Sequence, residues 1–287
     1  MSEISLFAFG FYPNSRNASA SRVRRLNWRL KRFKQKIFHR HNFGDFLSYH
    51  LVAALSQSRV RIAQQEERGK LLAIGSILWS LQDQDVIWGS GAHRENQVPS
   101  RSIASCHAVR GPLTLRELKR AGSVSTDREP LFFDPAILLP LLHPNLKSPL
   151  KIKGQTSIVP HYTDTQKVKD WLKETDQAIS IIDPMDHPLK VAQKIAQSER
   201  VVSSSLHGII LADAFNVPVV PLRLAGNREP EFKYVDYYEG SGRSAPRFSM
   251  DLREALDRDP PAFQYAERDL VRFLRSFPYP MKAIPGI

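Results

Sequence analysis

Cysteine and long apolar runs are almost absent from this sequence. Cys106 is the single cysteine in 287 residues, which excludes an internal disulfide and a cysteine-based metal cluster. We expect it to be a small buried side chain. No apolar run approaches the ~20 residues that span a bilayer, and the opening ISLFAFGF lacks the basic region of a signal peptide. These absences favour a cytoplasmic protein.

Acidic residues are missing between Glu3 and Asp45, where basic residues are dense. The chain has 41 Lys and Arg against 29 Asp and Glu, a formal net charge of +12, and nine of the basic residues lie between positions 22 and 40. Apolar residues recur there at helical spacing: Val23, Leu26, Leu30 and Phe33. Residues 19–37 therefore predict a basic amphipathic helix. It lies either on an anionic membrane surface or on its own domain with a solvated basic face.

Familiar nucleic-acid and nucleotide motifs are missing as well. No zinc-finger, RNP or helix-turn-helix pattern accompanies the basic segment, so we expect no nucleic-acid partner. Neither G-x-G-x-x-G nor G-x-x-x-x-G-K-[ST] occurs, so a dinucleotide site or a P-loop is not expected.

Short apolar strands alternate with helices along most of the chain. KLLAIG, DVIWGSGA and SCHAVRG predict strands, and PLTLRELKRAG predicts a helix; later strands are TSIVPHY, QAISIID, RVVSS and VPVVPL. This alternation predicts parallel sheets covered by helices. A proline-bearing stretch at 141–154 divides it. We therefore predict an α/β fold with two Rossmann-like domains facing a cleft: an extension over 1–36, a first domain over 37–148 and a second over 149–287.

Ligands of open parallel α/β sheets bind outside the carboxyl ends of the strands. Polar residues at those ends are therefore candidates for a site. They are Asn42, Asp45, Gly89, Ser90, Gly91, Arg110, Asp134, His161, Ser203, Ser204, Ser205 and His207.

The stretch SERVVSSSLHGIILADAFNVPVV at 198–220 contains a strand-to-helix turn. Ser203, Ser204 and Ser205 lie between the apolar pair Val201-Val202 and a helical run. Their hydroxyls can cap the helix, and its free amides and dipole favour an anion. His207 in the first turn either moves a proton or serves in capping and packing.

Seven segments together resemble a known family. They are NFGDFLS at 42–48, IWGSG at 87–91, AVRGPLT at 108–114, FDPAILLP at 133–140, IVPHY at 158–162, SSSLHG at 203–208 and FKYVDYYEGSGR at 232–243. In this order they are similar to the polysaccharide pyruvyl transferases. The resemblance is strongest to the ketal-pyruvate transferases of bacterial exopolysaccharide synthesis, of the xanthan and succinoglycan type. It covers about residues 37–245 and leaves the first ~35 residues outside.

The resemblance implies a glycosyltransferase-B-like fold and a defined reaction. The pyruvate unit of phosphoenolpyruvate (PEP) would move onto two hydroxyls of a terminal sugar, forming a cyclic ketal and releasing phosphate. The acceptor would be a lipid-linked oligosaccharide at the cytoplasmic membrane face, where residues 19–37 could hold the enzyme peripherally. PEP is a substrate, and neither a cofactor nor a metal is implied.

Within that resemblance, His207 would protonate C3 of PEP. The Ser203–Ser205 turn would hold the phosphate or carboxylate, and Gly208 would let substrate or a neighbouring strand approach. Ser205 stands where many relatives carry Arg, so the binding cation would come from elsewhere. Arg110 is the candidate, with a surface pair to Glu117 as the alternative.

The remaining candidates also have two readings each. Asp45 is a base or orients an acceptor hydroxyl, or it is a helix N-cap. His161 binds the ligand or bonds a neighbouring turn, and Lys233 supplies charge. Tyr237 and Tyr238 are sugar platforms or core residues. The other candidates are expected to shape turns or to bind substrate there: Asn42, Gly89, Ser90 and Gly91; Asp134 is expected to be structural.

Two other functions fit the same sequence. A nucleotide-sugar glycosyltransferase would show the same periodicity, and competition by a nucleoside diphosphate rather than PEP would identify it. A non-enzymatic membrane or nucleic-acid binder would depend entirely on the basic segment at 22–40.

Overall fold

A computed structural model describes residues 3–10, 42–124, 129–147, 151–175, 179–260 and 263–284. The predicted basic helix at 19–37 lies outside the described residues. No helix in the described ranges has the length and apolar character that crossing a bilayer requires.

The first sheet has six parallel strands in the order β2-β1-β3-β4-β5-β6. They are β1 (Glu3–Phe7), β2 (Arg59–Ile62), β3 (Leu71–Leu72), β4 (Val86–Trp88), β5 (Ser105–Val109) and β6 (Leu131–Phe132). The predicted strands β3, β4 and β5 are confirmed. β1 was not predicted, yet it pairs with both β2 and β3 inside the sheet. Cys106 lies on β5, partly buried against the core.

The second sheet has four parallel strands in the order β10-β9-β7-β8. They are β7 (Thr156–Val159), β8 (Ile179–Ile181), β9 (Arg200–Ser203) and β10 (Val219–Pro221). All four follow the sequence prediction. Together the sheets confirm the α/β class with parallel sheets covered by helices.

Ten α-helices lie in the described ranges. They are α1 (Phe43–Leu55), α2 (Pro112–Arg120), α3 (Leu139–Leu142), α4 (Pro144–Lys147), α5 (Thr165–Lys173), α6 (Pro188–Gln197), α7 (Leu206–Ala214), α8 (Phe232–Gly240), α9 (Leu252–Asp257) and α10 (Glu267–Arg275). Helix α2 shows the expected punctuation, because Pro112 opens it and Gly122, with φ +66°, follows its end.

One apolar core joins the two sheets. Leu47 of α1, Val159 of β7 and Ile209 of α7 belong to the same buried cluster as Trp88 of β4. Burying such side chains contributes roughly 1.5–3 kcal/mol each. The ends of the strands in both sheets are thereby held close together.

The C-terminal helix α10 packs on the first sheet. Phe273 stacks on Trp88 and on Phe133, each at a centroid distance of 4.9 Å. The Trp88 indole donates to Ser276 Oγ at 3.0 Å. The sequence prediction placed this segment in a second domain and β1 in an extension; neither contact with the first sheet was foreseen. The domain boundaries, and the glycosyltransferase-B likeness, stay predictions.

Candidate anion-binding and catalytic site

Residues that follow strands of both sheets meet at one place. His93 lies beyond β4, His161 beyond β7, His207 beyond β9, and Lys233 at the start of α8 beyond β10. The charge of Lys233 lowers the pKa of all three histidines, after burial, which is the larger cause for each. These four side chains therefore influence one another where strands of both sheets end.

His207 lies in the first turn of α7 and packs against the start of α1. Gly44 makes room for the imidazole, because a Cβ there would come within 2.1 Å of Nδ1. Among the described residues, the buried Nε2 has no hydrogen-bond partner. Burial first, and then the charges of Lys233 and Arg110, lower the pKa of His207 to about 3. The free protein thus holds a neutral imidazole with one unused nitrogen.

The serine turn is built differently from the prediction. Ser203 Oγ donates to Val159 O and Ser205 O, and Ser204 Oγ donates to Asp164 at 2.8 Å. Ser205 occupies the N-cap position of α7, but its side chain makes no cap hydrogen bond. The Ser203 and Ser204 hydroxyls therefore shape the turn, and the first amides of α7 are the groups it presents to an anion.

Asn42 and Asp45 both lie at the start of α1, but only Asn42 caps the helix. The Asn42 side chain accepts from Gly44 N at 3.2 Å and caps the helix, so the cap reading of Asp45 is wrong. Burial raises the pKa of Asp45 to about 7, although the charge of Lys233 acts in the opposite direction. This carboxyl therefore exchanges its proton near neutral pH.

Lys233 is buried beside a carboxylate. Its Nζ donates to Glu229 and lies 5.2 Å from the centroid of the Tyr234 ring. Burial lowers the pKa of Lys233, and the pair with Glu229 opposes that shift. The charge of Lys233 reaches Asp45, His161 and His207. It is therefore placed to attract a small anion.

His161 is fixed by the serine turn. Its backbone N–H donates to Ser204 Oγ at 2.9 Å, and Nδ1 lies 2.7 Å from Thr163 Oγ1. Its Nε2 lies 3.8 Å from Glu229 Oε1. Both readings of His161 thus have support: its main chain holds a turn, while its ring faces the charged cluster.

Arg110 is engaged by the protein rather than free to clamp a ligand. It is 1% exposed. Nε donates to Asp236 Oδ2 at 3.0 Å, and the two terminal nitrogens donate at 2.6 Å to Ser76 Oγ and Ala92 O. The alternative, a surface pair with Glu117, is not observed either. Because Asp236 belongs to α8, Arg110 instead ties the helix that carries Lys233 to the first sheet.

Several smaller candidates also contact protein. Ser90 Oγ donates to Gly75 O, and a Cβ on Gly91 would meet the Arg110 guanidinium carbon at 2.2 Å. Gly89 packs in the same way on Pro135. Gly208 packs on Ser203 and Val159, so a neighbouring strand, not substrate, takes the space. These three glycines therefore allow close packing against Pro135, Arg110, Ser203 and Val159.

The aromatic platforms and Asp134 have structural roles. Tyr237 donates to Asp213 at 2.8 Å and is buried with Tyr238, so the core reading of both is confirmed. Asp134 accepts from Ala136 N and caps a 3-10 helix (Pro135–Leu138), as expected.

Four residues of this region were missed from sequence: His93, Tyr162, Glu229 and Asp236. The strand-end rule contains the signal for His93 and Tyr162, because each closely follows a strand. Glu229 lies in the loop before α8, and Asp236 lies on α8. Neither directly follows a strand, so the strand-end rule does not select them. Within the described residues, no three His, Cys, Asp or Glu side chains are placed to hold one metal ion.

The family model for polysaccharide pyruvyl transferase matches residues 11–225. The chain belongs to the polysaccharide pyruvyl transferase family. The match begins at residue 11, so leaving the first ~35 residues outside the resemblance was wrong, and the basic segment at 22–40 lies inside the family region. It ends before FKYVDYYEGSGR at 232–243.

Two relatives illustrate the similarity. The uncharacterized protein L143 of Acanthamoeba polyphaga mimivirus is 32% identical over 172 residues, 57% of each chain. The succinoglycan biosynthesis protein ExoV of Rhizobium meliloti (strain 1021) is 38% identical over 112 residues, 39% of this chain and 33% of its own length. The chain therefore spans little more than half of one of these relatives and a third of the other. No solved structure matches significantly.

Proposed function

We propose that this protein is a pyruvyl transferase of exopolysaccharide synthesis that uses PEP as its donor. The observation that carries the proposal is the convergence of Lys233, His161, His207 and Asp45 in a chain of this family. The named relative ExoV acts in succinoglycan biosynthesis, which supports a polysaccharide acceptor.

The charged cluster suits a small trianion. The Lys233 ammonium, the amides at the start of α7 and the rings of His161 and His207 provide donors for a phosphate and a carboxylate. Their partial burial strengthens these interactions relative to water. PEP is short enough to place both anionic groups within one such cluster.

The reaction needs one proton at C3 and the removal of two from sugar hydroxyls. His207 gives a proton to the C3 methylene, which makes C2 electrophilic. One hydroxyl adds to C2 and loses its proton to Asp45; the C2–O bond to phosphate then breaks, and the second hydroxyl closes the ketal. One hydroxyl proton ends in the new methyl group and the other on the departing hydrogen phosphate, so atoms and charge balance.

Binding of the trianion explains how a neutral His207 becomes an acid. In the free protein, burial and two positive neighbours hold the pKa of His207 at about 3. A PEP molecule beside the ring reverses the local field and favours the imidazolium. The unused Nε2 supplies the position for the proton or for a bond to the donor.

Calorimetric titration of PEP against UDP-glucose tests the choice of donor. The pyruvyl transferase account predicts saturable PEP binding that is weakened by Lys233→Gln, and no competition by UDP. Binding of UDP-glucose with no response to PEP would instead support the glycosyltransferase alternative.

If Asp45 is the base, the transfer rate should increase with pH. With its pKa near 7, Asp45 accepts a proton only as the pH rises through that value. We expect kcat/KM for the acceptor to rise across pH 6–8 in wild type and to lose this rise in Asp45→Asn. PEP titrates in both proteins, so the difference between the two profiles reports Asp45. Identical profiles would remove Asp45 as the base.

An exposed aromatic ring, that of Tyr162, lies beside the charged cluster and offers a surface to the acceptor sugar. Tyr162 is 54% exposed, and its ring lies 4.4 Å from that of His161. Burial raises the pKa of Tyr162, and the charges of Glu229 and Asp45 act in the same direction, so both carboxyl groups influence this side chain. A pyranose can rest its apolar face on such a ring.

Tyr162→Ala is therefore expected to raise KM for the acceptor sugar about tenfold or more while leaving PEP affinity within about twofold. Tyr162→Phe keeps the ring and should behave as wild type. Initial-rate kinetics at saturating PEP measure both. A fall in PEP affinity with unchanged acceptor KM would place Tyr162 on the donor side instead.

The basic segment fits the same proposal. A lipid-linked acceptor lies at the membrane, and nine basic residues at 22–40 would favour an anionic surface there. Deletion of this segment should weaken activity on a membrane-borne acceptor and spare PEP binding.

A further inference from the structure

Glu229 contacts two of the side chains to which the proposed function assigns donor binding, Lys233 and His161. Its Oε2 accepts from Lys233 Nζ, and its Oε1 lies 3.8 Å from His161 Nε2. We propose that Glu229 is an internal counter-ion that occupies the carboxylate or phosphate subsite of the free enzyme and leaves it when the donor binds. This inference rests on the proposed function, whose donor it concerns.

The Glu229 carboxylate competes with an anionic donor for Lys233 because it is itself negatively charged. Burial by itself raises the pKa of Glu229, but Lys233, and then His161 and His93, lower it below its ordinary value. Its negative charge is therefore present at neutral pH. A second anion cannot take the same donors without strong repulsion between like charges.

The surrounding loop lets the side chain leave without refolding. Glu229 N donates to Asn227 Oδ1 at 2.8 Å, and Glu229 O accepts from Arg223 at 2.9 Å. Asn227 is itself anchored by donation to Asp164 at 2.8 Å. All of these contacts hold the main chain and none involves the carboxylate. Rotation of one side chain would therefore open the subsite.

The displaced carboxylate has an energetic consequence for donor affinity. Lys233 is buried, so in the free enzyme its charge needs a partner. Glu229 supplies that partner, and the incoming anion replaces it. Donor affinity is thus reduced by the cost of breaking an existing ion pair, and removing the competitor should tighten binding.

Titration of inorganic phosphate and of PEP into Glu229→Gln, Glu229→Asp and wild type tests this inference. Gln keeps an acceptor for Lys233 but removes the charge, so we expect both anions to bind about tenfold or more tightly. Asp keeps the charge but shortens its reach, so we expect a smaller tightening. Glu231→Gln removes a carboxylate from the same loop, one that pairs with Arg223, and should stay within about twofold of wild type.

Three outcomes would overturn the inference. Phosphate affinity in Glu229→Gln could be unchanged or weaker. Glu229→Asp could match wild type while Gln tightens, which would show an effect of charge at a distance. Glu231→Gln could tighten as much as Glu229→Gln. Thermal unfolding of each variant confirms that it is folded.

Titration with inorganic phosphate distinguishes a failure of this inference from a failure of the proposed function. If phosphate tightens in Glu229→Gln but PEP binds to no variant, the anion subsite stands and the donor assignment fails. If PEP binds wild type normally and neither anion tightens in Glu229→Gln, the donor assignment stands and the role of Glu229 fails.

Discussion

Replacement of His207 by Gln is expected to lower the turnover of pyruvyl transfer by about 10²- to 10⁴-fold, the contribution of a positioned proton donor. PEP affinity should fall by no more than about tenfold, because Lys233 and the amides of α7 remain while the coupled protonation of His207 is lost. Steady-state rates of phosphate release with saturating PEP and acceptor measure the turnover.

The proton balance of PEP binding distinguishes catalysis from packing. His207 starts neutral, with its pKa held at about 3, so it must gain a proton when the trianion binds if it is to act as the acid. Calorimetry in buffers with different ionisation enthalpies counts that proton. Wild type should take up more protons than His207→Gln, by up to about one. Equal uptake combined with unchanged turnover would assign His207 a packing role.

Asp236→Ala is expected to lower the free energy of unfolding by about 3–5 kcal/mol. Asp236 accepts from Arg110 Nε at 3.0 Å, from Thr114 N at 2.8 Å and from Thr114 Oγ1 at 2.6 Å. Both charged partners are almost fully buried. Alanine therefore leaves a guanidinium charge unpaired in the interior, together with two donors without an acceptor.

Urea denaturation measures this loss, and an exposed pair supplies the control. Arg116 and Glu95 are 59% and 63% exposed, so Glu95→Ala should cost less than about 1 kcal/mol. Asp236→Asn retains an acceptor and should lie between the two. A loss below about 1 kcal/mol in Asp236→Ala would show that the Arg110 network does not hold α8 on the first sheet.

The same network shows which site residues a sequence can reveal. His161, His207 and Asp45 were chosen as candidates because each stands next to a strand end or a helix start, where local pattern marks it. Arg110 also stands at a strand end, but its partner Asp236 is 126 residues away in the chain. Arg110 has a structural role because it is buried and pairs with Asp236. Neither its burial nor this distant partner can be read from the residues next to it in the sequence.

Two parts of the fold were hidden for similar reasons. β1 has the sequence EISLF, and a single short stretch of mixed apolar and polar residues, outside the regular alternation of strands and helices, is compatible with many structures. The place of α10 depends on Phe273 stacking against Trp88 and Phe133 across the chain. The strands β7 to β10 are no longer than β1, but they were predicted well because they alternate regularly with helical segments, so that local pattern and tertiary environment agree.

The contacts between α8 and the first sheet determine where Lys233 lies. Gly111 allows α8 to approach closely, since a Cβ there would come within 1.8 Å of Asp236 O. The Arg110–Asp236 pair then fixes the helix, and the helix places Lys233 among the histidines. In the proposed anion site, Arg110 is thus a positioning residue.

A transfer assay analysed by mass spectrometry shows whether the protein moves pyruvate from PEP onto a sugar. The protein would be incubated with PEP and with exopolysaccharide oligosaccharides from which native pyruvate has been removed by mild acid. The account predicts a product heavier by pyruvic acid less one water, with one phosphate released per transfer and no product from His207→Gln. Transfer of a hexose from UDP-glucose to the same oligosaccharides, without consumption of PEP, would contradict it.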